Sequence, residues 1–171
     1  MQRAKIFSRR FMRNLFCMII ISGIMSCITT FFFGSFKTEV DPEKLITRLK
    51  WQLILMLPAW ALLEEALFRF MPFALILIWK RVYGSLSNAI VLIVVVFSSV
   101  MFGIAHGDVR AICVQGVIGL YLSYIFWRYS FRLKNFAETS VGLLASTITH
   151  CAFNYFVLTP YAIVLYFKHH F

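Results

Sequence analysis

Two adjacent carboxylates and an arginine stand inside an apolar run, Leu62-Leu63-Glu64-Glu65-Ala66-Leu67-Phe68-Arg69. On a helix Glu65 and Arg69 share a face at i and i+4, where an ion pair lowers the cost of burying both. Glu64 lies about 100° further round and is left free for chemistry. Two histidines stand in comparable surroundings. His106 closes Val100-Met101-Phe102-Gly103-Ile104-Ala105-His106, with Phe102 one turn before it, and His150 lies in Thr149-His150-Cys151-Ala152-Phe153-Asn154, with Asn154 one turn after it. A carboxylate in apolar surroundings can take a proton from water, and a histidine can hold or share that water. A second histidine and an asparagine amide can donate to the oxyanion of a tetrahedral intermediate. The same residue types, Glu64 with His106 and His150, also suit a Zn²⁺ ion that keeps water in its open position. Hydrolysis beside a membrane helix is the chemistry this set predicts.

The surroundings of these residues explain why they are conspicuous. Of 171 residues, 61% are hydrophobic and only 14% charged, well below the roughly 25% charged of a soluble domain. A lipid bilayer is the expected solvent. The formal charge of +10 could point to nucleic acid, but the basic residues flank the ends of apolar runs, so they set topology and no nucleic-acid partner is expected. Of the seven acids, only Glu64 and Glu65 fall within an apolar run; Glu39, Asp41, Glu43 and Glu138 fall in polar segments and Asp108 just past a helix end. An intramembrane charge is a functional candidate by default. Cys17, Cys27, Cys113 and Cys151 show no CxxC spacing and are read as buried, space-filling thiols, and His169-His170 as a solvated tail.

Long apolar runs without period-2 alternation predict an all-α, polytopic membrane helix bundle of about five to six transmembrane helices. Residues 1–14 form a basic cytoplasmic N-terminus, and residues 15–171 a single transmembrane helical domain. The run Leu15–Gly34 is too long for a signal-peptide core and lacks a small-residue cleavage site, so it is read as a retained span. A polar segment, Lys37–Lys50, leads to Trp51–Trp79, which is too long for one straight span and is expected to bend at Pro58 or Pro72. Further spans are Asn88–Ile104, Ala111–Trp127 and Val141–Phe167. Counting Lys and Arg in the loops puts the N-terminus inside. With simple spans in that orientation, Glu64 and His106 fall toward the outer side and His150 nearer mid-membrane, which leaves the facing of the site open.

Other intramembrane hydrolases lack their residues here: there is no HExxH zinc motif, no Asp within a span, and no GxSxG frame around Ser35. The three motifs that are present, Glu64-Glu65-x-x-x-Arg69, Phe102-x-x-x-His106 and His150-x-x-x-Asn154, resemble in type and order those of the CPBP family. That family takes in type II CAAX prenyl endopeptidases and bacteriocin-processing and self-immunity proteins. The resemblance covers about Leu62–Asn154. It implies a membrane-embedded endopeptidase, glutamic-type or metal-dependent, acting on a membrane-associated peptide or protein. Glu64 is then the general base with His106, His150 and Asn154 the oxyanion site, Glu65 and Arg69 the structural pair, and Phe102 a side chain packed beside the water. A non-catalytic self-immunity or partner-binding protein on the same scaffold is the alternative. The shortness of the chain resembles bacterial members, which implies a multi-pass protein of the bacterial cell membrane. No cofactor is fixed by these motifs, and Zn is the one they could accommodate. Phe70 departs from the small residue that commonly follows the arginine, which bears on how closely helices approach there.

Overall fold

The computed structural model describes residues 2–33, 51–107, 109–130 and 136–170. All of the described elements are helical: α1 (Gln2–Phe33), α2 (Trp51–Glu65), a π-helical turn (Ala66–Phe70), α3 (Met71–Tyr83), α4 (Asn88–Ala105), α5 (Val109–Tyr129) and α6 (Phe136–His170). The expected helix bundle is what forms. The polar segment Lys37–Lys50 and Asp108 lie outside the described residues, as do the side chains of His169 and His170.

α1 runs unbroken from Gln2, so the basic arm expected over residues 1–14 and the first span are one helix. In sequence this region offers only hydrophobicity and charge, which mark an arm and a span but no packing partner. In the structure α1 closes a core, with Met18 buried against Ile118, Leu122 and Ile125 of α5 and Ala145 and Phe153 of α6. A second cluster joins Phe73, Ile76 and Leu77 of α3 to Phe126 of α5, with Phe73 and Phe126 stacked at 4.9 Å. Phe70 packs half-buried against this second cluster, so its bulk is accommodated between helices.

α2 continues through Pro58, and Pro72 lies two residues past a π-turn, its ring nitrogen having no hydrogen for the carbonyls of the helical turn before it. The irregularity is the π-turn between them, in which the Met71 N–H reaches back five residues to the Ala66 carbonyl. Such a turn leaves a carbonyl open, and the Ser98 hydroxyl of α4 donates to the Phe68 carbonyl across the helix interface. Serine re-satisfying freed backbone is how membrane helices tolerate these irregularities.

The ends of the next helices are set by short-range chemistry. Gly84 ends α3 at φ 72°, its N–H on the Lys80 carbonyl, and the Ser87 hydroxyl accepts from the Ala89 N–H to start α4. α4 stops at His106, and Gly107 turns the chain at φ 135°, a region open to glycine but not readily to other residues.

Large apolar side chains cover the outside: Phe31 is 84% exposed, and Leu92, Ile93 and Phe97 on α4 are each above 60%. Patches this extensive are suited to lipid. Two helical segments among the described residues are long and apolar enough to cross a membrane, Phe11–Thr29 within α1 and Asn88–Ala105. The run 51–83 is diluted by Glu64, Glu65, Arg69, Lys80 and Arg81. The four cysteines are free, as expected, but none is fully buried: Cys27 is exposed and the other three are half-buried.

Candidate active site

The residues singled out in the three motifs come from three separated helical runs, and six of the seven meet at one place. At its centre is Phe102 on α4, wholly buried. The Arg69 guanidinium lies over its ring at 4.2 Å, the His106 ring packs on it at 4.4 Å, and its edge meets His150 at 5.8 Å and Phe68 at 5.4 Å. A desolvated cation over an aromatic face is worth about 2 kcal/mol. The Phe102 ring thus lies against the arginine and both histidines.

Below this ring lies the charged pair. Glu65 and Arg69 are both fully buried, with Oε1 and Nη1 3.2 Å apart. The same Oε1 accepts from the Nδ1–H of His150 at 3.0 Å, a contact the sequence reading had not foreseen, since it gave Glu65 to Arg69 alone. One carboxylate oxygen thus ties the arginine on the π-turn to the histidine on α6.

Glu64 points away from that pair, toward the two imidazoles. Its Oε1 is 4.0 Å from His106 Nε2 and its Oε2 3.5 Å from His150 Nε2. Glu64 and His106 side chains each keep 28% of their surface exposed, whereas that of His150 keeps 4%, so the first two border open space and the third does not. The backbone fixes His106. It caps α4 at φ −95°, ψ 0°, the sparsely populated bridge region where active-site residues recur, and its Nδ1–H donates to the Phe102 carbonyl at 2.8 Å. Its Nε2 is consequently the nitrogen turned toward Glu64. Asn154 stands one turn beyond His150, half-buried, with no hydrogen bond among the described residues.

Two further groups were not found from sequence. On α5, Gly119 lies where a methyl group would sit 3.1 Å from Arg69 Nη2, 3.2 Å from Phe102 Cδ1 and 3.3 Å from Ser99 Cα. Only a bare backbone lets α5 close over the arginine. Its spacing of three from Gly116 in an apolar run was the available signal, since small residues let membrane helices approach closely. Ser98, the support of the π-turn, carried no signal beyond being a polar residue before Phe102.

The run 51–83 stays helical past Glu64, and His106 folds back over the last turn of α4, so that Glu64 and His106 both approach His150.

Zinc fits this arrangement poorly. Glu64 stands between the two rings with a different oxygen toward each, and among the described residues no group of three His, Cys, Asp or Glu is placed to hold a metal ion. The set Glu64, His106 and His150 considered from sequence is not such a group here.

Residues 46–156, about two-thirds of the chain, match the family model described as type II CAAX prenyl endopeptidase Rce1-like. The chain belongs to this Rce1-like family. No curated protein and no solved structure matches it. All three motifs fall inside the matched residues, and membership places this Rce1-like chain among CAAX-type membrane endopeptidases. Such a protein acts on a membrane-associated peptide or protein.

Along the outside of the Rce1-like site runs an apolar groove of about 500 Å³ between α3 and α4. Phe68, Ser98 and Met101 line its inner end, and Trp79 and Ile90 are among the residues lining the rest. Its volume is that of an ordinary small-molecule site.

Proposed function

We propose that the chain is a multi-pass intramembrane endopeptidase of the bacterial cell membrane in which Glu64 and His106 activate the water that attacks a peptide carbonyl. The observation that carries this is the pairing of a partly exposed carboxylate with an imidazole whose Nδ1–H is already committed to the Phe102 carbonyl. At 4.0 Å the Glu64 oxygen and His106 Nε2 are too far apart for a direct hydrogen bond and well placed for one water to bridge. The water donates one proton to Glu64 and lies against His106 as its oxygen attacks. The uncommitted Asn154 amide, joined by His150 once that ring carries a second proton, supplies donors to the oxyanion. A positioned base contributes about 10²–10⁴-fold to such a step. The ion pair of Glu65 and Arg69 holds the arrangement together and does not touch the water. The groove beside the site would receive the apolar portion of a membrane-associated substrate, and a prenylated end is the group to try first because the matched family is described by CAAX prenyl endopeptidases.

The test is the purified chain in lipid nanodiscs, given a peptide ending in a farnesylated CAAX sequence and the same peptide unprenylated. Release of a C-terminal fragment from either peptide, lost in Glu64→Ala and His106→Ala, supports the peptidase. Normal cleavage by both variants refutes the assignment of the base. Preference for the farnesylated peptide bears on the groove alone.

A further inference from the structure

We infer that Glu65 is a positioning residue for the reaction, setting the tautomer of His150 so that this ring carries a proton from Glu64 to the leaving nitrogen. The inference rests on the peptidase reading and deepens it. Glu65 Oε1 is hydrogen-bonded to His150 Nδ1 at 3.0 Å and ion-paired with Arg69 Nη1 at 3.2 Å, and all three side chains are at most 4% exposed. A carboxylate paired with a guanidinium has no hydrogen to donate, so the hydrogen between Glu65 and His150 belongs to Nδ1. A neutral imidazole has one N–H. Its Nε2, 3.5 Å from Glu64 Oε2, is then an acceptor.

This orientation decides what His150 can do. While neutral it cannot donate to an oxyanion; it can take the proton that Glu64 has removed from water. The ring then lies as an imidazolium between Glu64 and Glu65, and its Nε2–H can donate. The step balances. The water oxygen forms the new bond to the carbonyl carbon, and its first proton passes through Glu64 to His150 Nε2. From there it reaches the amide nitrogen as the C–N bond breaks with its electron pair on nitrogen. The second proton of the water leaves with the product acid, and both side chains return to their starting states. His150 is thus a donor to the oxyanion and the amine only after it has been charged.

The test uses the full chain in nanodiscs with ¹⁵N-labelled histidine, the His150 signals being assigned by their loss in His150→Gln. The native ring is expected to carry hydrogen on Nδ1 and none on Nε2. Glu65→Asp keeps a negative charge beside Arg69 but withdraws it from His150, so the ring is expected to move toward the Nε2–H tautomer. Cleavage of the farnesylated or plain peptide, whichever the native chain cuts, then falls about 100-fold or more in kcat with KM unchanged, as when a buried carboxylate ceases to orient a catalytic histidine. A native ring protonated on Nε2 overturns the inference, and so does a Glu65→Asp variant with native tautomer and native kcat. The native tautomer is read on the native chain without substrate, and no variant's activity enters it. A native chain that shows Nδ1–H and cleaves neither peptide therefore refutes the peptidase reading while supporting the dyad.

Discussion

Gly119→Ala puts the smallest possible probe against the site. The added methyl meets Arg69 Nη2 at 3.1 Å, Phe102 Cδ1 at 3.2 Å and Ser99 Cα at 3.3 Å, all inside the 3.5–4.0 Å of optimal contact. Arg69 cannot swing clear, because its guanidinium lies on the Phe102 ring and its Nη1 on Glu65. Overpacking of this kind costs about 1–3 kcal/mol, against which alanine recovers up to about 1 kcal/mol of helix propensity. The net loss is about 0–3 kcal/mol of stability. The effect on cleavage is larger, since a displacement of about 1 Å in a catalytic constellation can cost about 100-fold. Gly116→Ala is the control one turn earlier, where the methyl meets only the Ser99 carbonyl at 3.4 Å and Ile112 Cγ2 at 3.8 Å. The assay is paired: thermal unfolding in detergent and kcat/KM for peptide cleavage. Gly116→Ala is expected to be as stable as the native chain or more so, and active; Gly119→Ala is expected to lose activity well beyond its loss of stability. Equal behaviour of the two variants would refute the close approach of α5 to the arginine.

Arg69→Met removes the counterion of a fully buried carboxylate and is expected to cost about 3–5 kcal/mol, whereas Glu65→Leu with Arg69→Met recovers most of that stability; a melting curve of each checks the coupling. Ser98→Ala leaves the Phe68 carbonyl of the π-turn without its donor, with an expected loss of about 1–3 kcal/mol and faster hydrogen exchange confined to residues 66–71. Gly107→Ala forces a side chain onto φ 135°, a strain of about 1–3 kcal/mol. The expected signature is a fall in kcat exceeding the fall in stability, because the turn it distorts presents His106.

Much of this site can be read from the chain because the membrane leaves so few places for charge. In an apolar run Glu64, Glu65 and Arg69 have no solvent to explain them, and helical spacing alone separates Glu64 from the pair. The i, i+4 spacing likewise put Phe102 with His106 and His150 with Asn154. What stayed hidden depends on contacts between helices. Nothing in Glu65 itself says that its oxygen is shared with a histidine on α6. The π-turn falls just before Pro72, and the donor its Phe68 carbonyl receives comes from Ser98 on another helix, which the run 51–83 alone does not reveal. Gly119 matters only because Arg69 lies opposite it. The role of α1 in closing the core against α5 and α6 was masked by its uniform hydrophobicity, which marks a membrane helix but not the face it buries.

The account stands most directly on Glu64 as the base. The measurement is kcat/KM of Glu64→Gln against the native chain on the same peptide, at equal membrane abundance and equal melting temperature. Glutamine keeps the size of the side chain and its approach to His106 and His150 but cannot take a proton from water. A fall of about 10²–10⁴-fold is the result expected for loss of a general base. A Glu64→Gln chain that cleaves within a few-fold of the native rate contradicts it.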